Sequence, residues 1–128
     1  AYAKQNGLPY VTMQNREGEF VKPSIESFQS AAQYAEWEKA PGFYEILTNE
    51  PGKATWPIAG ATFILMHKNQ DNPVNAKEVV KFFDWGYNNG AQMAKALDYV
   101  PMPASVITLI QAHWKNNLKG KDGAAIWQ

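Results

Sequence analysis

The seven residues Ala61-Thr62-Phe63-Ile64-Leu65-Met66-His67 constrain this chain more than any others. They are β-prone and nearly continuously apolar, without alternation, so they predict a strand buried on both faces. A sheet with helices on each side buries a strand in that way, which makes the expected fold class α/β. The run cannot cross a bilayer. Even counted from Ala59 to Met66 it falls well short of the roughly 20 apolar residues required. With 128 residues in all, the chain has the size of one ordinary domain and can bury a core around this strand.

The flanking segments supply the helices. Ser24 or Lys22 caps a helix in which Ile25, Phe28, Ala32 and Ala35 recur at helical spacing, with Glu26 in its first turn and an end near Tyr34. Asn72-Pro73 opens a second, whose apolar face carries Ala76, Val79, Val80, Phe83 and Tyr87. Asn88-Asn89-Gly90 marks a turn before a shorter helix from Ala91 to Leu97, and a last helix runs from about Ala104 to Asn117. Ahead of these, Tyr10–Gln14 and Phe20-Val21 flank the turn Arg16-Glu17-Gly18-Glu19 and predict a short hairpin. Between Glu36 and Pro57, the pairs Pro41-Gly42, Pro51-Gly52 and Trp56-Pro57 leave room for one helical turn near Phe43–Leu47. So long a connection is expected to be functional or to cross between lobes. Ala1–Gly7 reads as the last turns of a helix closed by Gly7, as though the chain began inside an element. No charged segment followed by an apolar one precedes it, so a secretion signal is expected upstream or already removed.

Composition removes several chemistries. Twelve basic and twelve acidic side chains cancel, which argues against a nucleic-acid partner and against an electrostatic membrane anchor. The absence of cysteine removes disulfides, thiolate metal ligands and thiol nucleophiles together. The two histidines, His67 and His113, lie far apart and belong to no metal-binding spacing; His67 is expected to cap the strand end and His113 to be a half-buried packing residue. Glu17 with Glu19, and Glu36 with Glu38, are close in sequence but read as solvated loop pairs rather than a facing acid and base. No phosphate-loop or nucleophile-elbow motif occurs. Ser24, Ser27 and Ser30 read as caps and helix-surface groups, and Ser105 would stand about 12 Å from His113 along one helix. Trp37, Tyr44, Trp56, Trp85 and Trp114 could stack sugars or bases, but core and interlobe packing is the favoured reading. The residues therefore assign no catalytic residue, no metal ligand and no cofactor.

The chain nevertheless resembles the C-terminal part of the periplasmic phosphate-binding proteins that feed the ATP-driven phosphate transporter. Ala1-Tyr2-Ala3-Lys4-Gln5-Asn6, Leu47-Thr48-Asn49, Trp56-Pro57-Ile58 and Thr62–Lys68 carry the resemblance, with Val80–Tyr87, Leu97–Pro103 and Ala112-His113-Trp114. The resemblance implies a two-lobed periplasmic-binding-protein fold of α/β sandwich lobes, with phosphate in the cleft between them. Residues 1–59 would then be part of the second lobe, ending in a crossover near Ile58-Ala59-Gly60, and residues 60–128 the C-terminal part of the first. It implies a phosphate receptor in the periplasm, with inorganic phosphate and the membrane permease of the ABC importer as partners. It implies no enzyme. In such proteins the phosphate ligands come from upstream segments with no counterpart here, so no ligand residue is assigned on this chain. The expectation is a C-terminal fragment that self-associates when alone. The competing reading is a stand-alone structural or protein-interaction module with an aromatic partner surface.

Overall fold

The computed structural model describes residues 1–128. The chain begins with one helical turn, α1 (Tyr2–Gln5), followed by Gly7 in the left-handed region at φ 63°. A minimal hairpin comes next: β1 (Met13–Gln14) pairs antiparallel with β2 (Phe20–Val21), Met13 opposite Val21 and Gln14 opposite Phe20. The expected hairpin is therefore present, with two-residue strands.

Helix α2 (Ile25–Tyr34) starts where the sequence places it. The Ser24 Oγ accepts from the Ser27 backbone N–H and the Ser27 Oγ accepts from that of Ser24, a reciprocal cap that satisfies two otherwise orphaned donors. The connection that follows holds a single 3-10 turn at Pro41–Phe43, slightly ahead of the expected Phe43–Leu47. Thr48 and Ile58 then bridge antiparallel, so residues 49–57 form a closed excursion. Gly52 sits inside it at φ 110°; a Cβ there would lie 2.6 Å from both Thr55 and the Tyr34 ring, so no other residue fits.

The C-terminal half contains β3 (Asn69–Gln70), α3 (Pro73–Asn89), α4 (Ala91–Ala96), α5 (Ala104–Asn117) and β4 (Lys119–Gly120). Asn72 caps α3 by accepting from Asn75 N–H, with Pro73 at the position where its missing N–H costs nothing. The tail folds back: β4 pairs in parallel with β3, and Lys119 also bridges Ala125.

The expectation for Ala61–His67 requires correction. Residues 60–67 make no backbone-to-backbone hydrogen bond. Ile64 is 58 % exposed and Leu65 92 %. Strand identity needs a neighbour as well as β-prone residues, and the one ladder formed here begins beyond the run, at Asn69. Phe63 and Met66 still turn partly inward, so the segment covers the core from one side only.

Two small cores result. In the first, Ala32, Ala35, Trp37, Leu47 and Val106 are buried, joining α2 and the connection to α5. In the second, Ala76 and Val80 of α3 meet Leu118 and Ile126. Val80 and Val106 are at most 1 % exposed, each contributing about 1.5–3 kcal/mol by burial. Val79 and Phe82 of α3 remain exposed, so the apolar face of that helix is wider than the surface it covers.

Candidate functional site

An apolar groove of about 220 Å³ lies between the long connection and α5. An aromatic stack forms its floor. Trp37 is fixed by its indole N–H, which donates to the Ala32 carbonyl at 2.7 Å. Phe43 lies nearly parallel to it, centroids 5.6 Å apart, and the His113 ring lies 4.7 Å beyond Phe43. Phe63 and Tyr44 continue the wall, 4.8 Å apart. Placing Phe43 there requires the turn Pro41–Phe43 to leave helical geometry: Gly42 and Phe43 have φ of 66° and 61°. A bulky side chain at positive φ is strained and persists because the surrounding rings hold it.

His113 is half-buried, as its place beside the apolar face of α5 suggested. Burial, reinforced by the positive charge of Lys68, pulls its pKa below the ordinary histidine value, so the neutral ring is favoured. Its Nδ1 lies 3.2 Å from the Asn117 side-chain nitrogen, which suits a neutral ring accepting at that atom. Tyr87, near Trp114 on the far side of the groove, has its hydroxyl pKa raised by burial. Lys68 is the one charged side chain in the lining. A cavity of this kind holds apolar groups. An anion would need several converging N–H or O–H donors.

The other residues singled out from the sequence are dispersed. The His67 ring is exposed and caps nothing; instead its carbonyl accepts from the Gln70 side chain. Glu36 pairs with Lys39 at 2.6 Å in a solvated turn, and the Glu17 carboxylate accepts weakly from Gly52 N–H at 3.4 Å, facing no second acid. Ser24 and Ser27 are consumed in the cap of α2, and the Ser30 hydroxyl is 2.6 Å from that of Thr55. Ser105 is exposed on the first turn of α5. No three His, Asp or Glu side chains converge on a metal-sized space. Trp37 and Trp56 are buried and Trp114 is half-buried, whereas Tyr44 and Trp85 are largely exposed.

Sequence reasoning missed Asn15. Its side-chain nitrogen donates to the carbonyls of Gly52, Lys53 and Thr55 at 3.2, 2.9 and 3.2 Å. Its Oδ1 accepts from the N–H groups of Glu17 and Glu19 at 3.0 and 3.1 Å. One buried amide thus shapes the hairpin turn and ties it to residues 52–55. The signal was available: Asn ahead of Arg-Glu-Gly is the usual residue for folding a side chain back onto the next two amides.

Mixed helices and open two-stranded sheets are consistent with one class, part of an α/β periplasmic-binding-protein lobe. Comparison with known proteins gives the particular relatives. The chain is 51 % identical over all 128 residues to the phosphate-binding protein PstS of Pasteurella multocida, of which it covers 37 %. It is 50 % identical over 119 residues to that of Haemophilus influenzae, covering 93 % of this chain and 36 % of the relative. The PstS protein of Xylella fastidiosa is 41 % identical over 119 residues, with 33 % of it covered. No family model matches. The chain is therefore related throughout to the PstS phosphate-binding proteins, bearing out the resemblance carried by runs such as Val80–Tyr87, and it spans about a third of their length. No helix is long and apolar enough to cross a membrane.

Proposed function

We propose that this chain forms part of a periplasmic receptor that binds inorganic phosphate without turning it over and delivers it to the permease of an ABC-type importer. One observation carries the reading: 51 % identity over all 128 residues to a protein named for binding phosphate. Residues 1–59 belong to the second lobe of that receptor and residues 60–128 to the first, with the crossover near Gly60. The second core, drawn wholly from residues beyond 60, supports a unit there, while the first core packs Val106 against Ala32–Leu47 and so ties the two segments together. The apolar groove favours phosphate ligands lying in the two-thirds of the relatives that this chain does not span.

A chimera tests this. The matching segment of the Pasteurella multocida protein is replaced by these 128 residues, and phosphate binding is followed by calorimetry. Saturable phosphate binding in the chimera, with none in the 128-residue chain alone, is the expected result. A folded chimera that ignores phosphate would leave the stand-alone interaction module as the better reading.

A further inference from the structure

Charge is distributed unevenly around the groove beside α5. Lys68 is the one charged side chain in its lining, and no Asp or Glu stands there. Nor does Lys68 find an acid elsewhere: the carboxylates of Asp98, Glu36, Glu78 and Asp71 are paired with Lys4, Lys39, Lys81 and Lys121. An ammonium group without a counter-ion therefore borders an apolar space. His113 adds no second charge, because burial, and after it Lys68, favours the neutral ring. With Nδ1 accepting from Asn117, the ring proton sits on Nε2, which is left as a donor.

The body of the groove is aromatic on both sides. On one, the Phe63 ring lies 6.3 Å from Trp37 and 4.8 Å from Tyr44; on the other, Tyr87 lies 5.9 Å from Trp114. A ring entering between such walls finds faces and edges to pack against, a gain that an alkyl chain does not share. The space of about 220 Å³ exceeds the apolar cavity of about 150 Å³ that takes up benzene, so one six-membered ring with a short arm is matched to it in size.

We propose that this groove is a binding site for a small aryl carboxylate, its ring between Phe63 and Tyr87 and its carboxylate on Lys68. An inorganic anion has no apolar body to bury, and a single lysine supplies too few donors to hold it. A neutral arene would fill the same space and leave the ammonium without a partner. The site is separate from phosphate reception and does not depend on the chain's belonging to a receptor.

Ligand-observed saturation-transfer NMR on the 128-residue chain tests this with phenylacetate and its uncharged amide, phenylacetamide. Phenylacetate should bind saturably, its ring protons receiving the strongest transfer, and at least about threefold more tightly than the amide, the range of an exposed charge pair. Lys68→Gln should bring the two ligands to equal affinity; the side chain is exposed and unpaired, so the fold does not rest on it. Lys121→Gln, which removes a lysine outside the groove, should leave the preference unchanged. Phe63→Ala should weaken both ligands, and inorganic phosphate should displace neither. Absence of saturable binding, equal affinities in the parent, a preference that survives Lys68→Gln, a Phe63→Ala protein that binds as the parent does, or displacement by phosphate would each overturn the site. Binding that disappears as protein concentration rises would assign the groove to a second copy of the chain instead.

Discussion

Phe43 lies against Trp37 with 22° between their ring planes, and it reaches that position through a backbone held at φ 61°. The relationship joins a local cost to a tertiary gain. Positive φ at a bulky residue costs about 1–3 kcal/mol, and contact with the Trp37 and His113 rings offsets it. Phe43→Ala keeps the strain and loses the rings. It should lower unfolding free energy by about 1–3 kcal/mol, less than for a fully buried phenylalanine, and weaken the near-ultraviolet circular dichroism of the packed aromatics. Unchanged spectrum and stability would show that the stack contributes nothing.

Asn15 offers a sharper comparison, because its two side-chain atoms do different work. Asn15→Ala leaves the partner carbonyls and N–H groups to find water in a half-closed site and should cost about 1–3 kcal/mol. Asn15→Asp keeps the acceptor for Glu17 and Glu19 but aims a second oxygen at three carbonyls, so it should destabilise at least as much as alanine. Urea midpoints of the three proteins measure this. Aspartate behaving like the parent would mean that the donated bonds are unimportant.

The pH dependence follows from His113. Its folded pKa is lowered, first by burial and then by Lys68, so between the folded value and the ordinary 6.5 the unfolded chain binds more protons. Stability is therefore complete above about 6.5 and falls as pH drops through that value toward the folded one. Phe43 and Asn117, the other groups against the ring, carry no charge to reverse the sign. His113→Gln should flatten this limb in thermal melts taken across mildly acidic pH, whereas an unchanged slope would assign it to other groups.

The helices were legible because their signals are local. Ser24, Asn72 and Pro73 mark starts that hydrogen bonds within four residues then realise, and the periodic apolar residues of α3 and α5 lie along single faces. Ala61–His67 was misread for the opposite reason. Its composition announces a strand, but a strand exists only with a partner, and hydrogen bonding is not encoded in the run itself. The return of the tail onto α3 through Ile126, and the contact of Phe43 with His113, depend on residues more than forty positions away, beyond the reach of periodicity. The candidate groove was visible only as an excess of aromatic residues whose arrangement the sequence could not supply.

The same segment gives the last prediction. Residues 60–66 make no backbone-to-backbone hydrogen bond, and among them Ile64 and Leu65 are at 58 % and 92 % exposure. Uncharged and apolar, such a segment favours pairing with another chain. Val79 and Phe82 on the uncovered face of α3 add apolar surface, and exposing several large side chains, at about 1.5–3 kcal/mol each, is comparable to the whole stability of a domain, about 5–15 kcal/mol. The 128-residue chain alone should therefore self-associate at low micromolar concentration or melt without a sharp transition. Leu65→Lys discriminates between the causes: Leu65 contributes almost nothing to the folded core, and a charge in that segment should restore the monomer without loss of stability. Sedimentation velocity and a thermal melt on both proteins decide the matter. A monodisperse parent monomer with a cooperative transition would show that the open segment is tolerated, and a lysine variant that still associates would move the contact to the exposed face of α3.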